Sequence, residues 1–177
     1  MTLSNPYPAG WDLVGDATTL VQNSYVATGA TASTPLYGAI SHSAALSSFS
    51  GAPVQPLVTP ARTPLVNGRN AYVRQNTVGN DIALSWTAPA SATAPNGYQV
   101  TIYSVTNAGG KTVLPAVAGG VTTATELRLP PGTLTAGAEY CALVRSSYAP
   151  NLDFARTPFR SSLPADQADL LTGIFTP

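Results

Sequence analysis

Residues 81–87 read Asp-Ile-Ala-Leu-Ser-Trp-Thr, and Pro89 follows shortly after. Ile82, Leu84 and Trp86 fall on one side of an extended chain, with Asp81, Ala83 and Ser85 on the other, because successive side chains of a strand point to opposite faces. That alternation marks a half-buried β-strand, and Pro89 ends it by removing a backbone donor. The same reading extends in both directions. Residues 98–105 set Tyr98, Val100 and Ile102 against Gln99, Thr101 and Tyr103, and residues 139–146 place Tyr140, Ala142 and Val144 on one face. Asn107-Ala-Gly-Gly-Lys111 is a turn. Residues 111–117 return from it as an edge strand broken by Pro115. Residues 126–129 form a short strand before Pro130-Pro-Gly132, and residues 169–176 supply a last one. Leu84, Trp86, Val100, Tyr140 and Val144 are the candidate core. Helix signals are nearly absent, because the prolines are spaced too closely for long helices. The fold class is all-β, a sandwich or barrel.

The first 58 residues differ in texture. Candidate strands at 18–25, 36–41 and 45–49 are separated by Gly- and Ser/Thr-rich turns. Pro53, Pro56, Pro60 and Pro64 then read as an extended, semi-rigid connector and not as a packed element. Two units follow: a β-rich segment over 1–58 and a sandwich over 59–177. The first unit is too small to bury much surface alone. Its apolar residues, among them Trp11, Leu20, Tyr25, Leu36 and Phe49, need a surface to rest on. In the second unit Cys141, Leu143 and Tyr103 form an apolar outer face that needs a cover. The segment is therefore expected to pack on the sandwich, over that face or as an extension of a sheet edge; the alternative is a separately folded mini-domain on the Pro-rich tether.

Composition narrows the chemistry. Charged residues are 9% of the 177, eight basic against eight acidic, for a formal net charge of zero. Nucleic-acid binding needs a basic stripe, and this chain has none to offer. No apolar run approaches the roughly 20 residues of a membrane helix. One Cys and one His exclude an internal disulfide and a Cys₂His₂ zinc site. His42 is the one imidazole, set between Ser41 and Ser43. It reads as a solvent-facing residue of a Ser-rich loop, with a small hydrolase using His42 as a remote alternative. Glu126 and Glu139 both precede inward-facing residues and should face water. Asp166 and Asp169 are spaced i, i+3, and Asp12 and Asp16 i, i+4, outside any calcium-loop pattern. No metal and no cofactor is expected.

From about residue 59 the order of features resembles a fibronectin type III domain of the bacterial, exported-protein kind. A Pro-rich opening strand, Val58-Thr-Pro-Ala-Arg-Thr-Pro64, precedes a strand with a core Trp and a Pro-containing loop, Leu84-Ser-Trp-Thr-Ala-Pro89. Asn96-Gly-Tyr-Gln-Val100 opens the next strand. Leu129-Pro-Pro-Gly-Thr-Leu-Thr-Ala-Gly-Ala-Glu-Tyr140 then forms the corner before the penultimate strand, with a longer spacer than the usual animal pattern. The resemblance implies an immunoglobulin-like sandwich with Trp86 between its sheets. It also implies a tyrosine corner in which the Tyr140 hydroxyl bonds to the backbone just upstream. Gly132 and Gly137 would supply the unusual backbone angles of that bend. As to function, the resemblance implies a non-catalytic spacer or interaction module of a bacterial exported or cell-surface protein. No signal peptide stands in this chain, since Met1-Thr-Leu-Ser-Asn-Pro has neither a charged start nor an apolar run.

The alternative is a carbohydrate- or protein-binding module acting through residues 147–168. That stretch is long for a structureless loop and carries Tyr148, Phe154, Arg156, Phe159 and Arg160. Tyr and Arg are enriched at binding hot spots, so Tyr148, Phe154 and Arg156 are the candidate partner-binding residues. The competing reading is that the phenylalanines pin the loop to the sandwich.

Overall fold

Alternating strands with one apolar face must bury it, and two such sheets packed together are the usual solution. In this protein, seen in a computed structural model that describes residues 10, 11, 13–49, 51, 53–157 and 162–177, both sheets are antiparallel. The strands are β1 (Val14–Tyr25), β2 (Thr34–Ala45), β3 (Arg62–Val66), β4 (Arg69–Asn70), β5 (Ala83–Thr87), β6 (Gly97–Ser104), β7 (Thr106–Ala108), β8 (Lys111–Val113), β9 (Ala116–Thr122), β10 (Glu126–Arg128), β11 (Tyr140–Tyr148) and β12 (Ala165–Leu171). A six-stranded sheet runs β1-β2-β12-β11-β6-β9 and a four-stranded sheet runs β10-β5-β3-β4, with β7-β8 a separate hairpin.

The main core lies between the two large sheets. It gathers Val66, Ile82, Leu84, Trp86, Tyr98, Val100, Ile102, Tyr140, Ala142, Val144, Leu170 and Phe175. Trp86 meets Tyr98 edge-on, with ring centroids 5.1 Å apart and planes at 65°, a favoured aromatic geometry. The Tyr140 hydroxyl accepts the Thr135 N–H at 2.9 Å. Gly132 and Gly137 on the approach to β11 both have φ of +78°, an angle glycine takes without steric cost.

The N-terminal segment extends the sheet edge and also covers the outer face. β2 pairs with β12 from Ser43↔Ala165 to Ile40↔Ala168. Beyond that ladder the β1–β2 ribbon leaves the edge and builds a second core of Tyr25, Ala27, Val105, Cys141 and Ile174, with Leu36 and Tyr103 packed against it. The departure depends on Gly38, where a Cβ would lie 2.8 Å from the Asp169 Cβ. The ribbon tip is held by Thr31 and Ala32 N–H donating to the Gly110 carbonyl of the β7–β8 turn.

Several sequence expectations need correction. Residues 45–49 are not a strand: Leu46–Phe49 is a 3-10 turn, closed by the Ser48 hydroxyl donating to Ala45 O at 2.7 Å. The last strand is Ala165–Leu171, and the chain beyond it switches partners, with Phe175 bridging both Tyr140 and Gln75. The return after the turn is two strands, β8 and β9, divided at Pro115, where the lost donor breaks the ladder. The Pro-rich connector is packed over its second half, since Val58, Ala61 and Pro64 are buried. Trp11 and Leu20 stay largely exposed, at 65% and 66%.

Candidate functional site

The polar side chains that could carry chemistry collect where the ribbon meets the sandwich. β2 and β12 lie side by side, with His42 opposite Asp166. Cross-strand partners share a face, so the imidazole Nδ1 sits 3.1 Å from both Asp166 carboxylate oxygens. The Asp166 side chain is fully buried, and its Oδ1 also accepts the Leu57 N–H at 2.8 Å. His42 is thus a half-buried strand residue oriented by a buried acid, not a solvent-facing loop residue. Its ring rests against Phe49 at 5.6 Å and lines a cavity of about 330 Å³ with Ala44, Ser48, Leu57, Leu163 and Pro164. A triad also needs a hydroxyl placed to give its proton to the imidazole. Ser48 shares the cavity, but its hydroxyl donates to the Ala45 carbonyl.

Two further carboxylates act as clamps. Asp169 receives Arg145 in a two-bond fork, Nε to Oδ1 at 2.7 Å and the second nitrogen to Oδ2 at 2.8 Å. Its Oδ2 also accepts the Ala39 N–H at 2.9 Å, the backbone donor left over where β2 quits the β12 ladder. The bond to Asp169 raises the Arg145 pKa despite burial. Glu139 accepts the Thr28 hydroxyl at 2.7 Å and the Thr28 N–H at 2.9 Å, and it pairs with Arg74. Burial pushes the Glu139 carboxyl up, but the Thr28 and Arg74 contacts outweigh it and hold the group below its usual range. The Glu139 side chain is only 12% exposed, contrary to the expectation that it faces water; Glu126 does stay at the surface, paired with Arg128.

Asp166 and Asp169 cannot share a cation. Their i, i+3 spacing suits one face of a helix, but on a strand it sends the two side chains to opposite faces. Among the described residues no cluster of three metal-ligating side chains forms. Asp12 lies outside the described residues, and Asp16 accepts the Ser43 hydroxyl within the ribbon. Cys141 is fully buried beneath Tyr25, and burial pushes its thiol up to about 12.

The candidate partner-binding residues do not form one exposed cluster. Phe154 is 7% exposed and lies over Gly97, where a Cβ would stand 2.8 Å from the ring. Tyr148 ends β11 half-buried opposite Asp166. Arg156 projects into solvent, its side chain 87% exposed. Phe159 and Arg160 lie outside the described residues. The loop is also shorter than expected, spanning 149–164 between β11 and β12. The proposed core residues Leu84, Trp86, Val100, Tyr140 and Val144 all sit in the main core.

The sequence pattern could have found the His42 and Asp166 pairing only with the β2–β12 register in hand. Comparison with protein-family models and with curated proteins finds no match for the chain.

Proposed function

We propose that the chain is a non-catalytic spacer or interaction module of a bacterial exported protein, built on a fibronectin type III-like sandwich with a fused N-terminal ribbon. The sheet order supports the family reading. On this reading β3, β5 and β10 correspond to strands A, B and E in one sheet, and β6, β11 and β12 to C, F and G in the other. The Tyr140–Thr135 bond stands where such sandwiches place their tyrosine corner. The observation that carries the functional reading is the use made of the polar groups. Glu139, Asp166 and Asp169 each tie the ribbon or its connector to the sandwich, so the carboxylates best placed for chemistry already have internal partners.

A second reading rests on one observation, the His42 imidazole oriented by buried Asp166 beside a cavity. It makes His42 a general base of a small hydrolase. The two readings separate in one experiment: the purified chain and His42→Ala are incubated with activated esters, amides and aryl glycosides. The non-catalytic reading expects no turnover above buffer. Turnover that disappears in His42→Ala overturns it. Binding through the 149–164 loop would instead appear as retention on a glycan or protein surface that Arg156→Ala abolishes.

A further inference from the structure

Among the described residues no strand pairs with the outer edge of β1, and that edge carries little to discourage pairing. β1 ends the six-stranded sheet, and its twelve residues pair with β2 without a register shift. Leu46 N donates to Leu13 O just beyond the ladder. By the alternation of antiparallel bonds, odd-numbered β1 residues bond to β2 and even-numbered ones turn N–H and C=O outward. Ala39 N–H pointing to Asp169, on the β12 side, fixes the same parity from the other strand. Among the described residues, Val14, Asp16, Thr18, Leu20, Gln22 and Ser24 therefore have no ladder partner on that side. Sheets blunt such edges with Lys, Pro, bulges or short strands. Here β9, at the opposite edge, carries a register shift and Gly119-Gly120. The outer strands of the smaller sheet, β4 and β10, span two and three residues. β1 has neither Lys nor Pro, and one charge, Asp16.

We infer that the β1 edge is a self-association surface, occupied by β1 of a second copy in antiparallel pairing about a two-fold axis. A two-fold contact must be self-complementary. Centring the axis on Thr19 sets Asp16 opposite Gln22 of the second copy, Thr18 opposite Leu20, and Val14 opposite Ser24. The one carboxylate of the edge then meets an amide donor and not its own image. Leu20, 66% exposed, comes diagonally close to its copy across the seam, within reach of long side chains. Tyr37, 55% exposed, flanks it from β2 opposite Gln22. A formal net charge of zero leaves no long-range repulsion between copies. The inference goes beyond the module reading and stands whether or not that reading does.

A single-strand seam is narrow, so association belongs to the weak, concentration-dependent class. The test is light scattering and sedimentation velocity on the full chain from micromolar to millimolar concentration. The mass is expected to rise from 18.1 kDa toward twice that value. Thr18→Pro and Leu20→Lys act on outward-facing positions and spare the β1–β2 ladder, so both should stay monomeric, with the melting temperature of dilute wild type. Thr19→Pro removes an inward N–H and should lower the melting temperature, which checks the parity. A chain monomeric at millimolar concentration overturns the inference, and so does dimerisation that persists in both Thr18→Pro and Leu20→Lys. If Thr18→Pro does not fold, Leu20→Lys alone decides.

Discussion

Tyr25→Ala should uncouple the ribbon from the sandwich, and Cys141 reports the event. Tyr25 is 2% exposed in the second core, and its hydroxyl donates to Thr172 O at 2.6 Å. Truncating a buried aromatic to Ala costs about 3–5 kcal/mol. Losing the hydroxyl accounts for about 1 kcal/mol of that, and Asn23 Nδ2, 3.3 Å from the same carbonyl, retains a weaker bond. If the loss falls on local opening, the open population rises by about two to three and a half powers of ten. The assay is the rate of Cys141 modification by an aromatic disulfide reagent under native conditions. In the closed wild type the thiol is inaccessible, and its pKa, raised from about 9 to about 12, leaves about a thousandfold less thiolate than an ordinary cysteine at neutral pH. Labelling of wild type should therefore be slow and limited by opening. It should accelerate at least a hundredfold in Tyr25→Ala and about five- to tenfold in Tyr25→Phe. Wild-type labelling at the rate of the unfolded chain, or equal rates in Tyr25→Ala and wild type, would refute the account of the ribbon as a cover.

Trp86→Ala should destabilise the fold by about 3–5 kcal/mol, read as a shift of the denaturation midpoint; a loss below about 1 kcal/mol would contradict its place between the sheets. Tyr140→Phe leaves the Thr135 N–H without its acceptor and should cost roughly 1–2 kcal/mol, an unchanged midpoint showing that the corner does not hold the bend. Stability should also respond to pH at both ends. Glu139 has a lowered folded pKa, so its contribution is present above the unfolded value and disappears as pH falls through the folded one; Glu139→Gln should flatten that acid limb. Cys141 has a raised folded pKa, so its contribution is full below about pH 9 and declines toward pH 12; Cys141→Ala should flatten the alkaline limb.

The alternation of Ile82, Leu84 and Trp86 was enough to place β5, and the same period placed the centres of β6 and β11, because each buries one face in a single core. Period 2 also revealed that Cys141 and Leu143 face away from that core. The failures share a cause. At 45–49 the Ser48 hydroxyl satisfies the backbone locally, which favours a tight turn over a strand. β12 carries Asp166 and Asp169 at buried positions, so a pattern search for apolar residues slides past its start toward Leu170 and Phe175. Glu139 looked solvent-facing because its partners, Thr28 and Arg74, are distant in sequence. His42 reads as a loop residue for the same reason: its environment is set by β12, more than a hundred residues away. Local periodicity shows which way a side chain points within a strand, and it does not show which strand lies alongside.

The β2–β12 ladder also has a consequence in time. Ser43 waits for Ala165, so the ribbon emerges from the ribosome long before its partner strand exists. Long-range pairings of this kind make folding slow. Until β12 is in place both long edges of the ribbon are open, and until β11 is made Tyr25 has no Cys141 to cover. During that interval Asp16 is the only formal charge on β1 and β2 to discourage premature pairing, and edges that remain unpaired in transit are where chains of this kind aggregate. Slowing translation between the ribbon and β12 would lengthen the exposure, and a chaperone that recognises extended strands would have its binding window there.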